Sequence, residues 1–351
     1  MEQTYDIRKT YEENYALGPQ FELSPRSTPS VGKPATFLGR QLKSRIGIAA
    51  GLLLNSRWIA GYAERGFDIL TYKTVRSSHR PCYPPPNWVF VNEERDATSG
   101  EVRFVVIDDP GPEPADVSSS VCFGMPSMAP EVWREDVTRA KESLGDGQML
   151  IVSVVATPRD GWNRDDLAGD FLQCAKWAAD AGADAIEANF SCPNVCSAEG
   201  SIYLDPSLSG FVAGAIRDAI GSVPLLIKTG AFPERRQLTA YLRALDGTAD
   251  AVTMVNCLIR PVVNRDGSPA FGPDFREAGV LGRAIHDPCV ECVRDARTVI
   301  DAERLDLVIA AVGGVATSED MLRYLDAGAS AVLLGSSPMY LPDIAAHLRH
   351  L

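Results

Sequence analysis

The chain has 351 residues, 45% hydrophobic and 23% charged. That balance excludes a disordered or fibrous protein and suits one large domain better than two. The formal net charge of −12 opposes binding to nucleic-acid phosphates or acidic membrane faces, although a local lysine can still draw in a small anion.

Residues 1–21, MEQTYDIRKTYEENYALGPQF, are polar and charged and lack the apolar centre of a signal peptide. No stretch approaches the ~18 consecutive apolar residues of a membrane span. The eight cysteines are scattered through the chain, unlike the dense framework of a small secreted domain. The expectation is a cytoplasmic protein with no membrane partner.

Along the chain, short apolar runs alternate with helical patterns. The runs are 45–50, 68–73, 149–156, 184–190, 224–228, 251–255, 306–312 and 330–335. Runs such as Leu150-Ile-Val-Ser-Val-Val-Ala156 show no polar alternation, as expected of strands covered on both faces. Helical patterns follow each run, at 55–66, 130–144, 165–181, 206–220, 233–245, 279–300, 318–327 and 342–351. Eight strand–helix units predict an α/β protein of the (β/α)8 TIM-barrel class. The rival is an open doubly wound sheet. It loses its dinucleotide-binding form, because no G-x-G-x-x-G follows any predicted strand.

Two segments break the rhythm. Residues 1–44 form an N-terminal extension expected to pack across the bottom of a barrel spanning 45–351. Residues 74–129 exceed an ordinary βα connection. Within them, 88–91 and 102–107 flank a polar turn at Ser99-Gly100, predicting a hairpin lid over the barrel mouth.

The polar residues at the predicted strand ends carry the chemistry. Lys73 and Lys228 end the second and fifth runs, where a lysine either points a fixed charge into the mouth or snorkels to water. Asn189-Phe-Ser-Cys-Pro-Asn194 ends the fourth run. Its amides can read a lactam or imide edge, and its thiol, once tuned, can serve as a base. The same residues also suit a plain turn. Asn256 adds a third amide after the sixth run. Gly313-Gly314 and Gly335-Ser336-Ser337 end the last two runs, where these barrels bind phosphate through backbone N–H groups. Cys289-Val-Glu-Cys292 lies in a helical pattern with no second C-x-x-C nearby, and His79, His286, His347 and His350 show no ligand spacing, so no metal is expected.

These residues resemble the dihydroorotate dehydrogenase family. The anchors are Ile48-Ala-Ala-Gly-Leu52, Tyr72-Lys-Thr74, Tyr83-Pro-Pro-Pro86, Phe123-Gly-Met-Pro126, Asn189-Phe-Ser-Cys-Pro-Asn194, Ile227-Lys228, Val255-Asn256, Val312-Gly-Gly314 and 328–335. A more distant likeness is to the pyrimidine-oxidising domain of dihydropyrimidine dehydrogenase. The resemblance implies FMN and oxidation of dihydroorotate to orotate. Ala49, Ala50, Thr74 and Lys228 would contact the flavin, and Gly313, Gly314, Gly335 and Ser336 its phosphate. Lys73, Asn189, Asn194 and Asn256 would bind substrate, and Cys192 would be the catalytic base, with Cys196 a nearby rival thiol. The soluble class 1 likeness implies a homodimer, while the electron acceptor stays open. The family usually has an asparagine where this chain has Val121, so one substrate-reading amide is absent. The alternatives are an FMN enzyme for another small cyclic lactam or enone, with Arg76 and Arg80 recognising an anion from the lid, and a flavin-free phosphate-binding barrel.

Overall fold

The computed structural model describes residues 3–21, 32–95, 100–191 and 202–351. In chain order its elements are α1 (Tyr11–Leu17), β1 (Ala35–Phe37), β2 (Arg40–Leu42), β3 (Ile46–Ile48), α2 (Ser56–Ala63), β4 (Ile69–Val75), β5 (Trp88–Arg95), β6 (Val102–Ile107), β7 (Ser118–Val121), α3 (Pro130–Glu142), β8 (Met149–Val154) and α4 (Arg164–Asp180). There follow β9 (Ala185–Asn189), α5 (Pro206–Ile220), β10 (Leu225–Lys228), α6 (Arg235–Leu245), β11 (Ala251–Met254), β12 (Leu258–Val263), β13 (Glu277–Gly282), α7 (His286–Glu303), β14 (Val308–Val312), α8 (Ser318–Asp326), β15 (Ala331–Leu334), α9 (Ser337–Tyr340) and α10 (Ile344–Leu348).

The strands β3, β4, β8, β9, β10, β11, β14 and β15 close into a parallel barrel in that order. They coincide with the eight predicted runs. Every residue of β8, β9, β10, β11 and β15 is buried, which is why these strands read as continuous apolar runs. Local chemistry starts the helices. Asn163 and Thr317 cap α4 and α8 in reciprocal boxes with Asp166 and Asp320, satisfying N–H groups that a first turn leaves unpaired.

The barrel interior alternates with period two. Ile69, Met149, Ile151, Ala185, Leu226, Ala251, Ala331 and Leu333 form one buried cluster with Phe37 and Leu42. The β1–β2 hairpin therefore closes the end where the strands begin. On the same faces, two or four residues further on, the chain places Lys73, Asn189 and Lys228 at the open end.

The structure corrects three sequence expectations. The predicted 88–107 hairpin exists, with Phe90 opposite Ile107, but it belongs to a second closed sheet of order β12-β13-β7-β5-β6. Residues 279–282, expected to open a long helix, lie in β13, and that helix begins at His286. The last predicted helix, 342–351, shortens to α10, and a separate short helix, α9, precedes it. The extension is also divided. Its hairpin plugs the bottom, whereas Tyr5 packs near the mouth, 5.5 Å from the Trp88 ring and 6.0 Å from that of Phe123. The aromatic edges of the second sheet offer Tyr5 a larger apolar contact than the barrel floor does.

Candidate active site

An open cavity lies where the barrel mouth meets the second sheet, the place where ligands bind in this class of barrel. Its lining includes Ala49, Ala50, Lys73, Thr74, Asn189, Lys228, Asn256, Gly313, Gly314, Gly335 and Ser336. These residues come from seven barrel strands and the turns after them. Cys192 and Asn194, and the rival Cys196, lie outside the described residues.

Lys228 ends β10 and is 2% exposed. Its Nζ donates to the carbonyl of Ala50 at 3.3 Å, so the charge is held against the β3 end of the cavity. Lys73, also buried, places Nζ 5.7 Å from the Phe123 ring centroid. Asn189 Oδ1 accepts from the backbone N–H of Ser191 at 3.2 Å, and its Nδ2 faces the Met125 sulfur at 3.7 Å. Met125 holds a left-handed backbone, φ 52°, a strained conformation for a long side chain. Asn256 Nδ2 donates to the carbonyl of Ser191, tying β11 to the end of β9. Thr74 Oγ1 and Ser153 Oγ share a hydrogen bond of 3.0 Å. Glu187 is fully buried and pairs in register with Leu226, placing a carboxylate one interior step beneath Asn189 and Lys228.

The residues fit a flavin with a phosphate tail. The cavity continues into a smaller recess lined by Gly282, Arg283, Gly314, Gly335, Ser336 and Ser337. A Cβ built on Gly335 would meet nothing within 4 Å, whereas one on Gly314 would lie 2.4 Å from the Gly282 carbonyl oxygen. Gly335 thus keeps open the space a phosphate needs, and Gly314 allows β13 to approach. Asp320 fixes the rim. Its Oδ2 accepts from Ala316 N at 3.1 Å and Thr317 N at 2.9 Å, and its Oδ1 binds Arg283 Nη1 at 3.1 Å. Glycine turns, hydroxyls and a nearby guanidinium make an anion cradle. The main chamber, with its small residues at 49–51 and cationic Lys228, suits a flat, electron-accepting ring.

The opposite wall comes from the second sheet. Trp88, Val121, Phe123, Leu281, Gly282 and Ile285 line it. Sequence reasoning did not assign Trp88, Leu281, Gly282, Ile285 or Cys257 to the site. The poor helix-forming stretch Ala278-Gly-Val-Leu-Gly282 was the available signal, since two glycines seldom open a helix. Val121 is in this wall, at the place where the resemblance would put an amide.

Arg76 is not at the mouth. It is fully buried, donating to the carbonyls of Met125 at 3.0 Å and Ala156 at 2.5 Å, so it braces the cavity's backbone and cannot recognise an anion from a lid. Arg80 lies outside the cavity lining and bonds the Tyr83 hydroxyl at 3.3 Å. Cys289 and Cys292 sit on α7 as expected. Burial raises both thiols above the usual range. Burial also pushes the Cys82 thiol up to about 12, against the opposing charge of Lys73. These thiols are unsuited to act as a base near neutral pH. His286 is buried at the start of α7, its Nδ1 3.1 Å from Asp287, a structural position. Among the described residues no group of three potential metal ligands occurs, and no helix is long and apolar enough to cross a membrane.

Comparison with known proteins places this chain in a family. The dihydroorotate dehydrogenase family profile matches residues 123–349. A dihydroorotate dehydrogenase of Dictyostelium discoideum is 32% identical over 97% of this chain and 95% of its own length. The catalytic subunits of dihydroorotate dehydrogenase B (NAD(+)) from Methanosarcina acetivorans and Bacillus pumilus are each 30% identical over 51% of the chain, covering 55% and 57% of their own lengths. The alignment to these NAD(+)-type relatives thus spans about half of each protein. A closed eight-stranded parallel barrel, a cavity at its mouth and a match along nearly the whole sequence agree: this chain belongs to the dihydroorotate dehydrogenase family, flavin-dependent oxidoreductases acting on a CH–CH bond.

Proposed function

We propose that this protein binds FMN and oxidises dihydroorotate to orotate. The observation that carries the reading is the convergence of Lys73, Lys228, Asn189, Asn256 and two glycine turns on one cavity. Gly313, Gly314, Gly335 and Ser336 hold the phosphate, and Ala49, Ala50, Thr74 and Lys228 contact the flavin ring. When bound, FMN accepts the hydride that leaves the substrate ring. Asn189, Asn194 and Asn256 orient the ring by its amide edges, with Lys73 drawing in the negative charge. Cys192 Sγ removes the proton from the neighbouring ring carbon, so that a C=C bond forms as proton and hydride depart. A free thiol has a pKa near 8.5, and Lys73 supplies a positive charge that favours the thiolate. The apolar wall excludes water from the reacting carbons.

The test is anaerobic. The purified protein should be yellow, and added dihydroorotate should bleach it. A yellow protein left unbleached moves the reading to an FMN enzyme for another cyclic lactam or enone, which Val121 in the substrate wall would favour. A colourless protein that refuses FMN ends both. We further assign 45–351 to one FMN-binding domain with 1–44 as an extension on it. The class 1 resemblance supports a cytoplasmic homodimer, to be checked by fractionation and light scattering.

A further inference from the structure

Resting on the FMN reading, we propose that Glu187 is a counter-charge beneath the cavity floor that sets the flavin's reduction potential in opposition to Lys228. The placement follows from the barrel's registers. Stepping round the ring from β4 puts Thr71, Glu187, Thr253 and Leu333, from alternate strands, in one interior layer, the arrangement by which such barrels fill their core. The next layer up is Ala49, Ser153, Lys228 and Val312. Ala49, Lys228 and Val312 line the cavity, and Ser153 shares a hydrogen bond with the lining residue Thr74. That upper layer is the cavity floor, and the carboxylate lies one layer below it. Glu187 and Lys228 are diagonal neighbours on adjacent strands, since Glu187 pairs with Leu226 and Asn189 with Lys228. Strand spacing and rise put their Cα atoms about 8 Å apart.

Packing does not account for this side chain. Glu187 is fully buried, and neither carboxylate oxygen has a hydrogen-bond partner among the described residues. The hydroxyls of Thr71 and Thr253 in its layer are likewise unbonded. An apolar residue would fill the layer at lower cost, because a buried carboxylate is expensive unless an opposing charge compensates it. The inward faces of the eight strands carry only Lys73, Glu187 and Lys228 as charged residues, so the one carboxylate there lies beneath two ammonium groups. Its oxygens are sealed from the cavity and touch no ligand. What Glu187 supplies is field, which a water-free core transmits with little screening. Taking up a hydride adds one negative charge to the flavin. Lys228 favours that charge and Glu187 opposes it. The lysine draws electrons in from substrate, and the carboxylate keeps the reduced ring able to pass them on.

Glu187→Gln keeps the shape and removes the charge. With FMN bound and no dihydroorotate present, its flavin, titrated against reference dyes, should reduce with an equilibrium constant about tenfold higher or more. That is a rise of about 30 mV for a two-electron couple. Sulfite, an anion that adds to the oxidised ring and leaves it negative, should bind about tenfold tighter or more. Glu187→Asp keeps the charge and should stay within about threefold of the parent in both assays. In the parent labelled with carbon-13 glutamate, the infrared difference between oxidised and reduced protein should contain a labelled carboxylate band, which covers the case in which the variants do not fold. A reduction equilibrium in Glu187→Gln within about twofold of the parent, equal shifts in the Gln and Asp variants, or a difference spectrum without that carboxylate band overturns the assignment. A parent protein that takes up no FMN fails earlier, and takes the FMN reading down with it.

Discussion

Two glycines at the cavity rim separate cofactor binding from packing. Gly335 has no neighbour within 4 Å of its would-be Cβ and does not hold a left-handed backbone. Gly335→Ala should therefore leave the flavin-free fold intact, or stabilise it by about 0.4–1 kcal/mol through lost unfolded-state freedom. The added methyl enters the phosphate recess, so FMN affinity should fall at least tenfold, about 1.4 kcal/mol. Gly314 differs on both counts. Its φ is +70°, and its Cβ would meet the Gly282 carbonyl oxygen at 2.4 Å and His286 Cβ at 2.9 Å. The left-handed backbone costs about 1–2 kcal/mol and the overpacking about 1–3 kcal/mol. Gly314→Ala should then destabilise the protein by about 2–5 kcal/mol with or without FMN. Denaturant unfolding of the flavin-free proteins gives the first quantity, and quenching of flavin fluorescence on titration gives the second. Unchanged FMN affinity in Gly335→Ala, or equal destabilisation by the two changes, would refute the division of roles.

Cys192→Ala should spare flavin binding and slow anaerobic flavin reduction by about 10²-fold or more, measured by stopped flow, whereas Cys196→Ala should not. Arg349 Nη2 binds Asp68 Oδ2 at 2.9 Å with both side chains buried, and Ser44 Oγ donates to the same oxygen at 2.5 Å. Arg349→Met should cost about 3–5 kcal/mol in denaturant unfolding by stranding a buried carboxylate, and Asp68→Asn in the same chain should recover part of it. A single variant as stable as the parent would contradict this. Burial raises the tyrosines at 11, 62, 72, 241 and 324, and lifts Tyr340 to about 12. Since the folded pKa lies above the unfolded value near 10, this stability is complete below pH 10 and is lost as pH climbs toward 12. Tyr340 alone accounts for about 2–3 kcal/mol of it. Tyrosinate absorbance from most of the ten tyrosines at pH 10 in the still-folded protein would show the sign to be wrong.

The sequence by itself determined the barrel and most of its mouth. Eight runs buried on both faces can only be central parallel strands, and period-two alternation carries Leu226 to Lys228 on one interior face whatever the rest of the chain does. The polar residues at the strand ends were legible for the same reason, since nothing local explains a lysine or an asparagine at the end of a buried strand. Only tertiary structure decided the second sheet, because its strands come from segments on either side of four barrel strands and pair through contacts that no local pattern encodes. The stretch 278–282 reads equally as strand or helix until β7 and β12 take its hydrogen bonds. Arg76 looked like a surface charge until the fold enclosed it between two carbonyls. Trp88 became a wall of the cavity only when β5 met β7 and set it opposite Val121.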